Sequence, residues 1–381
     1  MAALHVLRGS FISLLAALCL LYTMSAEAKR DTQSEHPSNV AEIQTKAAQG
    51  FVKQELELAA AYFAGRGVSK DPAQAAYWYR KAADQGDPAA QIYLGYLYTA
   101  GIGVPRDTAE AIRWYRRAAS SNSPQAEVNL AGHYMRGDGV KQDTAEALRL
   151  LRSAAEKGYG RADAYLGWAS YVGSGVPVDH AAAEASFKRG VKRHDPEAEC
   201  FLAAWDANEP GHAPDLAREA KLLRLSAATG YVPAIHALGL LLVNHPDLPQ
   251  AKEEANSLLM SSARAGYWPS SAALGVMARD GRLVPKDQRA AYRWLRIAVL
   301  QGGSPTETYV HHDLQRLAKS LADTSSADQE AAQWLQMHPD RDLFAFANEM
   351  NARYFPIQEV YATAHAPAVA NEVENQAEAP N

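Results

Sequence analysis

A chain of 381 residues has room for two or three ordinary domains or for one elongated array. With 48% hydrophobic and 21% charged residues it can bury a large core, which excludes a mostly disordered protein. Its net charge of -5 argues against nucleic acid as a partner, because such binding needs a basic surplus.

In chain order, Arg8 precedes an apolar run from Phe11 to Tyr22 that ends in Ser25-Ala26-Glu27-Ala28. This is the pattern of a secretory signal peptide over residues 1–28, cleaved after Ala28, and it predicts a periplasmic or secreted protein. The run is too short and too poorly flanked for a membrane span, so no transmembrane segment is expected after signal removal. Cys19 follows Leu18 rather than the small residue of a lipoprotein signal. Without Cys19 the mature chain keeps only Cys200 and has no internal disulfide. Residues 29–40 are polar and aperiodic, and read as a linker.

Gly65-Arg66-Gly67 invites a phosphate-binding reading, but Lys70 stands where a dinucleotide fingerprint needs its third glycine, and no Gly-Lys-Ser/Thr follows. The pair instead recurs every 36 residues, as Gly101 and Gly103, Gly137 and Gly139, Gly173 and Gly175. Four equivalent loops indicate a backbone need for positive φ in a tight turn between helices. In the same register Leu58, Leu94, Leu130, Leu166, Leu202, Leu238 and Leu274 are each followed by Ala or Gly. That column defines a helix A, residues 88–100 in the second repeat, whose small residue admits another helix closely. A helix B follows each turn, with Asp71, Asp107, Asp143, Asp179, Asp215 and Asp287 placed to cap it. It ends in a column of Gly50, Gly86, Gly158, Gly230, Gly266 and Gly302 whose exceptions are Asn122 and His194. Asn and His are the side chains that best tolerate left-handed angles, so the column reads as a helix C-terminus. Because Gly50 belongs to it, Lys46-Ala47-Ala48 reads as the end of a lone helix B ahead of the first full repeat.

The run Ala90, Leu94-Gly95, Tyr98, Gly101, Gly103-Val104, Asp107, Ala111, Trp114-Tyr115, Ala118-Ala119 resembles the Sel-1-like repeat family, a relative of the tetratricopeptide arrays. The resemblance is strong in repeats one to three and again in the seventh, and weakest in repeats four to six. It implies an all-α, right-handed superhelical solenoid of about seven 36-residue helix-turn-helix repeats over residues 41–303, with helix A lining a concave face. Ser304-Pro305-Thr306-Glu307 then has the form of a helix start. Helices to about Leu321, from Ser325, and from Arg341 to Tyr354 are expected to cap the array within residues 304–356. The acidic segment 357–381, with Glu359, Glu372, Glu374 and Glu378, has the composition of a disordered tail.

The sequence offers no catalytic constellation, metal set or cofactor motif, and the chain is read as no enzyme. No Ser-x-x-Lys, His-x-x-x-His or Cys-x-x-Cys occurs. Cysteine-rich secreted members of the resembled family, linked to penicillin binding, hold each repeat with a cysteine pair that this chain lacks. On the helix A side opposite the leucines lie Tyr93 and Tyr96, Asn129, then Arg136 one turn on, Tyr165 and Trp168, and Phe201. As the lining of a concave groove these residues would anchor a peptide of another envelope protein, or stack on a glycan. The competing reading packs them between neighbouring helices. The expected function is an exported scaffold or regulator holding a protein partner, with an envelope polysaccharide or cell-wall factor as the alternative.

Overall fold

A computed structural model describes residues 40–208, 215–302 and 308–338. The signal peptide, the linker up to residue 39, the helix start at Ser304, the helix expected at 341–354 and the acidic tail lie outside those residues. The described residues form an all-α solenoid of seventeen helices, and they divide into two compact units, residues 1–194 and 195–381.

In the first unit α1 (Val40–Ala48) stands alone and precedes four pairs. These are α2 (Val52–Ala64) with α3 (Pro72–Asp84), and α4 (Pro88–Ala100) with α5 (Thr108–Ser120). They continue as α6 (Pro124–Arg136) with α7 (Thr144–Glu156), and α8 (Gly160–Val172) with α9 (His180–Lys192). The second unit has α10 (Pro196–Asn208) with α11 (Leu216–Ala228), α12 (Val232–Asn244) with α13 (Ala251–Arg264), and α14 (Trp268–Asp280) with α15 (Gln288–Leu300). Two further helices, α16 (Thr308–Ser320) and α17 (Ser325–Met337), both pack on α15. Val310, Leu317 and Ala327 thereby join one apolar cluster with Trp268, Tyr292 and Leu295, closing that end of the stack.

The capping chemistry follows the sequence columns. Each of the six aspartates is the N-cap of its helix B, its carboxylate accepting an N–H from the first turn, as in Glu110 N–H to Asp107 Oδ1 at 2.9 Å. Asn122 (φ 65°) and His194 (φ 56°) adopt the left-handed conformation of the glycines they replace. Gln250 and Leu283 also have positive φ, neither of which the sequence reading expected. Leu283 (φ 54°) occupies the column of Gly67 and Gly103, and a branched side chain there carries a left-handed strain of roughly 1–2 kcal/mol. Replacing it with glycine adds back only about 0.4–1 kcal/mol of unfolded-chain entropy. Leu283→Gly is therefore expected to raise the thermal midpoint slightly; a lower midpoint would show that the packing of this half-buried leucine outweighs its strain.

Close packing explains the small residue after each leucine. A Cβ on Gly95 would stand 2.7 Å from the Tyr115 ring, and on Gly167, Gly239 or Gly275 it would stand 2.7 Å from Phe187, Leu259 or Leu295. In each case the obstacle is the residue twenty positions on, in the following helix B. Six of the seven A helices, all but α10 at the start of the second unit, thus lie against both their own helix B and the helix B before it.

Candidate functional site

That double coverage decides the fate of the predicted groove. Tyr96, Tyr165, Phe201 and Asn129 are essentially inaccessible, Trp168 is 4% exposed, and only Tyr93 and Arg136 are half-buried. The stripe is packing, and the groove expectation is corrected accordingly. A helical wheel assigns an outer side when one neighbour covers a helix, whereas here the side opposite the leucines is covered as well. Tyr93 rests on Tyr79 with ring centroids 5.0 Å apart, and Trp168 lies 5.5 Å from Tyr171. Burial pushes the Tyr96 phenol far above its usual range, as it does for Tyr115. Leu166, expected on the core face, is only half-buried.

Arg136 belongs to the turn instead. Its guanidinium lies 3.3 Å from Asp138 Oδ2, and Arg106 of the preceding repeat lies 3.6 Å from Oδ1 of the same carboxylate. Beneath them His133 is buried, its Nδ1 donating to the Asp138 carbonyl at 3.0 Å. Burial, and then Arg136, hold its pKa down to about 4, so the ring is neutral at neutral pH. This cluster joins two turns, with His133 and most of Arg136 covered and Arg106 exposed.

Sequence reading missed a polar column on helix A, where it followed only the leucines and the aromatic stripe. One turn into every helix A but α12, where Ile235 stands, are Glu55, Gln91, Glu127, Asp163, Glu199 and Ser271, all buried. Several reach the residue thirty positions on, at the end of their own helix B. Glu55 accepts from Gln85 at 2.7 Å, Glu127 from Lys157 at 2.8 Å, and Ser271 donates to Gln301 at 2.6 Å. Asp163 is held by Arg193 and by Arg189, the latter at 3.0 Å. Glu199 breaks the rule: Leu225 and Thr229 occupy the positions of those two arginines, and its Oε2 is buried with no hydrogen bond among the described residues.

Burial, assisted by Asp195, raises the Glu199 pKa from 4.5 to about 7. The sign follows: protonation is cheap in the folded state, so this carboxyl costs nothing below pH 4.5 and destabilises increasingly as pH rises through 7. Glu199→Gln is expected to leave the thermal midpoint unchanged at pH 4.5 and to raise it at pH 8. Equal midpoints at both pH values would mean that Glu199 is hydrated or paired.

On the B helices of the first unit, cations and aromatic rings lie side by side at the surface. Arg80, Arg116, Arg152 and Lys188 occupy one column of the first unit. Arg116 Nη2 donates to Tyr134 Oη at 3.0 Å, Arg117 lies over the Trp114 ring at 4.5 Å, and Lys81 lies over both Tyr77 and Trp78. Tyr77 is 47% exposed. Among the described residues no group of His, Cys, Asp and Glu could hold a metal ion, and no helix is long and apolar enough to cross a membrane.

Five segments match the family pattern described as Sel1 repeat: residues 55–87, 88–123, 124–159, 160–185 and 269–303. No curated protein matches the chain. Among solved structures it is similar to a Sel1 repeat protein from Oxalobacter formigenes, at 31% identity over 66% of this chain and 89% of that one, with a TM-score of 0.44. It is also similar to c5321, a protective antigen of uropathogenic Escherichia coli strains displaying an SLR fold, at 22% identity over 86% and 74% of the two chains and a TM-score of 0.41. A putative Sel1 repeat protein from Klebsiella pneumoniae is 17% identical over 73% and 99%, with a TM-score of 0.29.

Proposed function

Because the chain belongs to the Sel1 repeat family, whose proteins are generally scaffolds for protein interaction, we propose that it is an exported scaffold or regulator that binds another protein of the cell envelope. The observation that carries the reading is the repetition of the Sel1 pattern in five segments, which gives each unit a rigid stack of helices with a long outer surface. The family's role is binding; the compartment rests on the sequence of residues 1–28.

The buried stripe changes where the partner sits. Tyr96, Tyr165, Trp168 and Phe201 cannot anchor a ligand from inside the stack, and the sugar-stacking argument that rested on them loses its support. Contacts are left to the exposed B helices and turn edges.

The test has two arms. Protein expressed from the full sequence in a Gram-negative host should begin at Lys29 and fractionate with the periplasm; a retained Met1 in the cytosol overturns export. In the second arm, crosslinking in intact cells followed by affinity purification should recover one stoichiometric envelope protein, and the reciprocal purification should return this chain. Recovery of the chain alone overturns the scaffold reading.

A further inference from the structure

On the B helices and turns of the middle repeats, the cations differ in whether a carboxylate meets them. Arg113 and Arg149 face Glu110 and Glu146 on the same helix, Lys188 faces Glu184, and Lys157 faces Glu127. Arg116, Arg117, Lys141 and Arg152 have no carboxylate partner among the described residues. All four are exposed.

Arg116 and Lys141 line one cleft of about 560 Å³ together with Tyr134, Gln142 and Thr144. Asp143 also lines it, but its Oδ1 is already accepting the Glu146 N–H at 2.9 Å. The Arg116 guanidinium is steadied by the Tyr134 hydroxyl and so is presented at low entropic cost. Arg117, on the same helix, is steadied by the Trp114 ring. Exposed cations that a protein holds in place but does not neutralise are suited to carboxylates from outside, which arginine takes in bidentate form.

We propose that this face, centred on the Arg116–Lys141 cleft, docks an acidic peptide segment of a partner protein. The inference rests on the scaffold reading and adds the chemistry of what is held. A peptide is favoured over a polyanion because only two cations line the cleft, on a chain of net charge -5. Thr144 further offers a hydroxyl, and Gln142, whose Nε2 donates to the Met135 carbonyl at 2.8 Å, offers its amide oxygen to a peptide N–H.

The probe is a fluorescein-labelled oligoglutamate peptide, with the matching oligoglutamine peptide as its neutral control, titrated into the full chain and followed by anisotropy. Oligoglutamate should bind and oligoglutamine should not, and binding should weaken as salt is raised. The double variant Arg116→Ala/Lys141→Ala should lose about tenfold or more in affinity, while Arg113→Ala, which removes a cation already paired with Glu110, should stay within about twofold. Unchanged melting of both variants is expected from the exposure of all three side chains. Equal binding of the two peptides, or full affinity in the double variant, overturns the site. A uronic-acid oligosaccharide that competes better than free oligoglutamate assigns the face to acidic glycan and overturns the peptide. Partner capture by crosslinking uses no variant at these positions, so it can succeed where this proposal fails.

Discussion

Tyr96→Ala and Trp168→Ala are each expected to destabilise the fold by about 3–5 kcal/mol, as much as Leu94→Ala on the opposite side of helix A. Tyr96 and Leu94 are fully inaccessible and Trp168 is 4% exposed, so truncation leaves a cavity that rigid neighbouring helices cannot close. Tyr96→Phe separates the ring from its hydroxyl. That oxygen is buried without a partner among the described residues, so its removal should be neutral or mildly stabilising. Urea unfolding monitored by circular dichroism measures all four. If the alanine variants stay within about 0.5 kcal/mol of the parent, the helix A surface is open and the aromatics are available to a ligand after all.

Gly103→Ala is expected to cost about 2–5 kcal/mol, summing a left-handed backbone penalty with overpacking. At φ 68° the glycine sits where an added Cβ would overlap the carbonyl oxygen of Pro72, the first residue of α3 in the preceding repeat. Gly139 and Gly175 meet Thr108 and Thr144 in the same way, at the first residues of α5 and α7. The comparison is Gly86→Ala. Its φ is 95° but nothing lies within 4 Å of the added carbon, so only the backbone penalty of roughly 1–2 kcal/mol should remain. Similar melting of the two variants would show that neighbouring repeats separate without cost at the turn.

These residues also mark what was legible in advance. The leucine column, the aspartate caps and the left-handed conformations of Asn122 and His194 follow from local chemistry repeated at fixed spacing, and the helices obey them. The positive φ at Gln250 has no counterpart in the repeating columns, and that at Leu283 lay in the register of Gly67 and Gly103 but was masked by a residue type that disfavours the angle. Tyr96 and Trp168 were misplaced for a related reason: periodicity says which residues share a side of a helix, while the number of neighbours covering that side is a tertiary property. The polar column from Glu55 to Ser271 was visible but overlooked. Charged side chains one turn into a helix ordinarily signal solvent, and only their partners thirty residues on explain their burial.

The ionic tie and the glycine contact differ in what they span. Glu127 to Lys157 begins and ends inside one 36-residue repeat, whereas Gly103 to Pro72 joins two. A stretch of gene copied in whole repeats would therefore bring its own counter-charge, and would need from its new neighbour only room beside a glycine. Such a chain can lengthen by duplication without waiting for compensating mutations. The cost surfaces where a copy carries the acid without the base: with leucine and threonine at 225 and 229, the fifth repeat holds the carboxylate of Glu199 without a cation, and folding stability acquires a dependence on acidity there.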